Sequence, residues 1–130
     1  MIIYFSGASP GKVPEDFGHL ADVPIMTTFL NYQSGRKEPP DVVRDADRHF
    51  LDSGSFTLWT KAARWAEEAG PASPYEFYKT PDCAEYLGAY ANFVQTNKVA
   101  RYANVDAIPN AEVSGRNQVR LEELGLQPIP

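Results

Sequence analysis

Short apolar runs alternate along the chain with segments in which apolar residues recur every three or four positions. The apolar runs predict buried strands at 2–6, 23–30, 49–51 and 102–108. The helical spacing predicts helices at 13–20, 41–48, 58–69, from Thr80 onward and at 110–124. Residues 126–130 have the pattern of the beginning of a fifth strand. The pattern as a whole therefore alternates strands with helices.

The start of the helix at Thr80 has the clearest local signal. Thr80 is a good N-cap, Pro81 suits the first helical position, and Asp82 places a negative charge in the first turn. Cys83 follows on the predicted buried face, where a cysteine is most often a small inert apolar residue. The aromatic residues at helical spacing are expected in the core, and those in the predicted loop 72–79 are expected to be exposed.

The alternation of strands and helices predicts an α/β protein. Four β/α units followed by a truncated fifth strand predict the N-terminal half of a TIM-like (β/α)8 barrel, as a single partial barrel domain over residues 1–130. An open doubly wound sheet is the alternative. Half a barrel would expose strand edges and an apolar face. We therefore expect either a missing C-terminal half or a partner, including a second copy of the chain, to cover that surface.

Composition and charge narrow the class of protein. Hydrophobic residues make up 43% and charged residues 22% of the 130 residues, which is typical of a globular domain. The formal net charge of −5 argues against a sequence-independent nucleic-acid binder, although an enzyme can dock nucleic acid through a local patch. The single cysteine excludes a disulfide framework within this chain, and we expect neither a metal nor a cofactor. With no apolar run of about 18 residues and no signal-peptide pattern, we expect a cytoplasmic protein without a membrane partner.

Polar residues follow two of the predicted strands at their carboxyl ends, where parallel α/β proteins place their active sites. Asp52, Ser53 and Gly54 follow the third strand. This sequence is most often a structural turn, but its carboxylate is also a candidate for acid/base chemistry. Asn104 and Asp106 lie in the fourth strand, and alternation predicts that both point to the same side. Asp106 either caps the next helix or contacts a ligand, and we expect it to converge with Asp52.

Two short segments carry a resemblance to a known family. Phe50-Leu51-Asp52-Ser53-Gly54-Ser55-Phe56 resembles the DSGGF motif of the queuine tRNA-ribosyltransferases, also called tRNA-guanine transglycosylases. Residues 103–109, ANVDAIP, resemble the fourth-strand segment of that family, and together with residues 125–130 they are similar to its phage-type relatives. Ser55 and Thr57 stand where the family pattern has Gly and Gln.

The resemblance implies a (β/α)8 barrel that exchanges a guanine base through a covalent ribosyl–Asp intermediate. It implies that Asp52 is the catalytic general acid/base, that Ser53 and Gly54 shape the base pocket, and that Asp106 binds the purine edge, with Asn104 beside it. The implied partners are a purine or deazapurine base and tRNA or DNA, in a bacterial or phage-infected cell.

The family's nucleophilic Asp and zinc-binding cysteines belong to its C-terminal half, so we do not expect this chain to complete the exchange alone. The alternatives are a non-catalytic purine- or nucleotide-binding module and a protein-interaction module.

Overall fold

A short parallel sheet organises the protein. The computed structural model describes residues 5–6, 24–35, 39, 41–70 and 72–130, so the predicted helix at 13–20 and most of the first predicted strand lie outside it. Strands β1 (Phe5–Ser6), β2 (Ile25–Thr28) and β3 (His49–Asp52) are adjacent in chain order and all parallel. In the register of the second pair, Thr28 lies opposite Asp52. The carboxyl ends of β2 and β3 therefore lie at the same edge of the sheet.

Three α-helices follow the sheet: α1 (Ser55–Ala69), α2 (Pro81–Asn97) and α3 (Ala111–Glu123). The start predicted for α2 is confirmed, because the Thr80 side chain accepts the N–H of Cys83 at 3.4 Å. The cap predicted for α3 is also confirmed, because Asn110 Oδ1 accepts the N–H of Val113 at 3.0 Å. Local end signals thus position both helices as the sequence predicts.

Shorter helical turns replace some predicted elements. The second strand ends at Thr28 and leads directly into the 3-10 helices Phe29–Asn31 and Gln33–Gly35. The helix predicted at 41–48 is a single 3-10 turn, Asp41–Arg44, and the predicted loop at 72–79 contains the 3-10 helix Pro74–Lys79. The prediction of exposed aromatic residues in that loop is wrong for Phe77 and Tyr78, which are buried.

The hydrophobic core joins the sheet to the helices. Leu51 of β3 packs in one buried cluster with Leu58 of α1, Tyr90 of α2 and Leu121 of α3. Phe29, just after β2, makes ring contacts with three side chains of α2, namely Tyr86, Tyr90 and Phe93. Cys83 is also fully buried here, and burial raises the pKa of its thiol to about 11. Aromatic packing therefore fixes α2 against the carboxyl end of β2.

The expectation that the chain forms the N-terminal half of a TIM-like (β/α)8 barrel is wrong. Among the described residues, β2 is followed by 3-10 turns rather than an α-helix, and two α-helices separate β3 from the next extended segment. That segment, 102–108, pairs with β3 only at Leu51 and Tyr102, and with the C-terminal residues only at Ala103 and Ile129. The structure is a small α/β protein without regular β/α barrel units. The described strands follow chain order, so they also lack the order reversal of a doubly wound sheet.

The physical reason for the missing fourth strand lies in its backbone hydrogen bonds. The N–H of Asp106 donates to Ser55 Oγ at 2.7 Å, and the N–H of Ala107 donates to Ser114 Oγ at 2.9 Å. The Asn117 side chain in turn donates to the carbonyl of Val105 at 2.8 Å. Side chains therefore satisfy backbone groups that a strand would pair with its neighbour.

Length and polarity set α1, α2 and α3 apart from membrane helices. Of the helices in the described part of the chain, none combines the length and the apolar character needed to cross a membrane.

Candidate functional site

The turn after β3 is held in one conformation by its own polar groups. The N–H of Gly54 donates to Asp52 Oδ2 at 3.1 Å, and the hydroxyl of Tyr86 donates to the carbonyl of Ser53. Gly54 has φ +76°, and a Cβ there would lie 2.8 Å from the Tyr86 hydroxyl and 2.9 Å from Leu30 Cγ. One oxygen of the predicted catalytic carboxylate is therefore engaged in shaping the turn.

Two buried tyrosine hydroxyls on α2 support this end of the sheet. Tyr86 donates to the turn, and Tyr90 donates to the carbonyl of Ala103 at 2.8 Å. Burial raises the pKa of both tyrosines, and the nearby Asp52 carboxylate adds to the effect. Both hydroxyls consequently keep their protons at neutral pH and remain hydrogen-bond donors.

A pair of buried serines connects the turn to the segment that contains Asp106. Ser53 Oγ donates to the carbonyl of Asn104 at 2.6 Å and lies 2.8 Å from Ser55 Oγ. Ser55 Oγ accepts the N–H of Asp106 at 2.7 Å. The ends of β3 and of the segment 102–108 are thus joined by side-chain hydrogen bonds.

Asn104 is buried, and one of its side-chain polar atoms has no hydrogen-bond partner among the described residues. The side chain is 3% exposed, and its Nδ2 donates to Asp106 Oδ1 at 2.9 Å and to the carbonyl of Ser114 at 3.1 Å. Its Oδ1 has no hydrogen-bond partner among the described residues. A buried acceptor without a partner costs about 1–3 kcal/mol. The atom has almost no accessible surface, so a hydrogen bond from a ligand requires the Asn104 side chain to move toward the cavity.

A cavity of about 420 Å³ lies beside Asn104 and Asp106. Its wall combines a few polar groups with apolar ones, and the residues relevant here are Asn104, Asp106, Ile108, Ser114, Gly115 and Gln118. The volume lies within the range of about 300–1,000 Å³ that is usual for small-molecule sites, and such sites generally carry a small number of polar groups on apolar walls. The cavity is large enough for a heterocyclic base.

The five predicted site residues separate into two groups. Asn104 and Asp106 both line the cavity, as the prediction that they share one side requires. Asp52, Ser53 and Gly54 are absent from its described lining, and Ser53 contributes only by binding the backbone of Asn104. Asp52 and Asp106 therefore do not meet in this cavity, and the serine pair lies between their two segments.

Several residues of the site were not singled out by sequence reasoning. Ser114, Gly115 and Gln118 form the α3 side of the cavity. Their spacing on the predicted helix, with two small residues and one polar residue on one face, is a signal that could have identified them. Phe56, directly after Ser55, is 74% exposed, which is unusual for a large aromatic side chain and leaves its ring free to stack.

The described residues also do not meet the requirements of a metal site. In the ranges that the structure describes, no three His, Cys, Asp or Glu side chains are grouped so that they could hold a metal ion.

Comparisons with known proteins give this chain no relative. No protein-family model, no curated protein and no solved structure matches it. The resemblance to the transglycosylases therefore depends on the two short motifs alone, and the function has to be argued from the cavity.

Proposed function

We propose that this chain binds a purine base, guanine or a 7-deazaguanine, in the cavity beside Asn104 and Asp106. The observation that carries the proposal is that Asp106 lines the cavity together with Asn104, whose buried Oδ1 has no hydrogen-bond partner among the described residues. Both groups accept hydrogen bonds, so a matching ligand presents neighbouring N–H donors. The N1–H and the 2-amino group of guanine form such an edge, whereas adenine offers only its 6-amino group there.

The cavity walls support a flat, partly apolar ligand. Ile108, Pro109 and Ala111 provide apolar surface, and Ser114 and Gln118 provide polar groups.

Base exchange in tRNA or DNA is the reaction that the resemblance to the transglycosylases adds to this proposal. The resemblance assigns the general acid/base role to Asp52 and the shaping of the base pocket to Ser53 and Gly54. Because none of the three lines the cavity, exchange requires a nucleotide that extends from the base at Asp106 to Asp52. Asp52 Oδ1 makes no hydrogen bond to a described residue, so one oxygen is available to a substrate. The nucleophile of the family has no counterpart in the matched motifs, so exchange requires a further carboxylate, which a partner would supply. Without that partner the chain is a purine-binding module.

The test is calorimetric titration of the chain with guanine, 7-deazaguanine and adenine. We expect the wild type to bind the first two more tightly than adenine, and Asp106→Asn to lose about tenfold or more in affinity for guanine, since hydrogen bonds to a charged acceptor contribute about 1.5–3 kcal/mol. Asp82→Asn, an exposed position on α2, is the matched control and should leave the affinity unchanged. Equal affinity of the wild type and Asp106→Asn for guanine would reject the site.

A second assay separates binding from exchange. The chain is incubated with radiolabelled guanine and either tRNA or DNA, and the label retained in the nucleic acid is counted. Incorporation establishes exchange and identifies the nucleic acid, whereas binding without incorporation establishes the purine-binding module.

A further inference from the structure

The hydrogen-bond chain through the two serines has a defined direction. Ser53 has one hydroxyl proton and donates it to the carbonyl of Asn104. Ser55 must therefore be the donor in the 2.8 Å contact between the two hydroxyls. Ser55 in turn accepts the N–H of Asp106. The order is Asp106 N–H to Ser55, Ser55 to Ser53, and Ser53 to the Asn104 carbonyl, with every hydroxyl donating once and accepting once.

These hydrogen bonds are buried, and both ends of the series lie on the backbone of residues 104–106. Ser53 is 1% exposed and Ser55 is 8% exposed, so water competes little with these bonds. They begin and end on the backbone of Asp106 and Asn104, two of the residues that line the cavity. In a shielded environment consecutive hydroxyl bonds reinforce one another. The two serines therefore fix the backbone from which both acceptor side chains project.

Ser55 is the member of the pair that the family motif does not provide. The DSGGF pattern has glycine at this position, and glycine has no hydroxyl to accept the Asp106 N–H. The segment 104–106 has no strand partner at Asp106, so this hydroxyl replaces the missing ladder bond.

We propose that Ser55 is a positioning residue, which orients Asp106 relative to Asn104 and so sets the preference for a guanine edge over an adenine edge. This inference rests on the proposed function. Loss of the Ser55 hydroxyl frees the Asp106 amide and lets the carboxylate turn away from Asn104. Affinity for a ligand that needs both acceptors then falls more than affinity for a ligand that uses one.

The test compares Ser55→Ala and Ser55→Thr with Ser73→Ala. Ser73 also accepts a backbone N–H, from Tyr75 at 3.3 Å, but it lies away from the cavity. Ser73→Ala is therefore a matched control, because it also removes one hydroxyl acceptor. We expect Ser55→Ala to lower the guanine-to-adenine affinity ratio about tenfold, Ser55→Thr to restore most of it, and Ser73→Ala to leave it unchanged. An unchanged ratio in Ser55→Ala, accompanied only by lower thermal stability, would mean that Ser55 has a merely structural role and would overturn the proposal.

Amide hydrogen exchange provides a readout that needs no ligand. The Asp106 amide should be protected in the wild type and exchange at least tenfold faster in Ser55→Ala, while amides in the middle of α2 keep their protection. Unchanged protection at Asp106 overturns the inference even if guanine binds. Failure of the wild type to bind guanine, with Asp106 protection lost in the variant, rejects the proposed function and with it the specificity role, but leaves the anchoring bond established.

Discussion

At the scale of single residues, the turn after β3 depends on the absence of a side chain at position 54. Gly54 combines a left-handed backbone with two close neighbours, Tyr86 and Leu30, on the side where a Cβ would point. Gly35 has a similar φ of +68°, but no described atom lies within 4 Å of the position of its Cβ. The two glycines therefore separate the cost of the backbone conformation from the cost of the close approach.

Alanine substitution at these two glycines should give different losses of stability. Gly35→Ala should cost about 1–2 kcal/mol of unfolding free energy, the price of a left-handed alanine. Gly54→Ala should cost about 1–3 kcal/mol more, because the added methyl group forces the Tyr86 hydroxyl or Leu30 to move. Urea unfolding followed by circular dichroism measures both values. Equal losses would show that the turn relaxes without strain.

The candidate site was partly predictable at this scale. Asn104 and Asp106 share a cavity as alternation predicts, although the cause is their mutual hydrogen bond rather than a regular strand. The role of Ser55 was not predictable, because its bond to Asp106 joins residues 51 positions apart and leaves no local pattern. The convergence of Asp52 with Asp106 was inferred from strand ends, and the structure instead puts the serine pair between their segments.

At the scale of elements, the three α-helices and the strands β2 and β3 were predictable, whereas the fourth strand and the helix at 41–48 were wrong. Caps, glycines and apolar spacing are local signals, so α1, α2 and α3 lie close to their predicted bounds. The segment 102–108 has the composition of a strand, but whether a neighbour pairs with it depends on distant residues such as Ser55 and Ser114. The barrel prediction was wrong because it counted this segment, and the turns after β2, as complete units.

Helix α3 offers a way to fill the cavity without disturbing the fold. Neither Gly115, on the cavity wall, nor Gly88, in α2, has a described atom within 4 Å of the position that a Cβ would take. Leucine favours a helix interior over glycine by up to about 1 kcal/mol, so Gly115→Leu and Gly88→Leu should both unfold at an unchanged or higher temperature. Only Gly115→Leu should lose guanine affinity, by about tenfold or more.

Calorimetry and thermal denaturation on the same samples check this expectation. The Gly88→Leu variant controls for a bulky side chain introduced into a helix away from the cavity. Retained guanine affinity in a folded Gly115→Leu protein would place the ligand somewhere other than this cavity.

At the scale of the whole molecule, a buried histidine couples stability to pH. His49 is fully buried on β3, and its Nε2 forms a 2.8 Å hydrogen bond with Thr27 Oγ1 on β2. Burial lowers the pKa of His49 from 6.5 to about 4. Between these two values the unfolded chain binds a proton that the folded chain does not. The contribution of His49 to the unfolding free energy is therefore fully present above pH 6.5 and is lost as the pH falls toward 4.

The expected loss between pH 7 and pH 5 is on the order of 2 kcal/mol of unfolding free energy. His49→Gln lacks the titrating ring, so its stability should change less over the same interval, whatever its stability at pH 7. Urea unfolding of both proteins at four or five pH values gives the two slopes, and carboxylates that titrate in both proteins cancel in the comparison. Parallel slopes would show that His49 binds its proton equally in the folded and the unfolded chain, which would contradict the lowered pKa.

The buried thiol of Cys83 reports on openings of the protein interior. It is the single cysteine in 130 residues, and with a pKa near 11 only about one molecule in ten thousand carries a thiolate at pH 7. A thiol-specific reagent added to the native protein must wait until α2 lifts away from its neighbours. The rate of modification, read as a mass increase on one peptide, therefore counts openings of the protein interior without any engineered label.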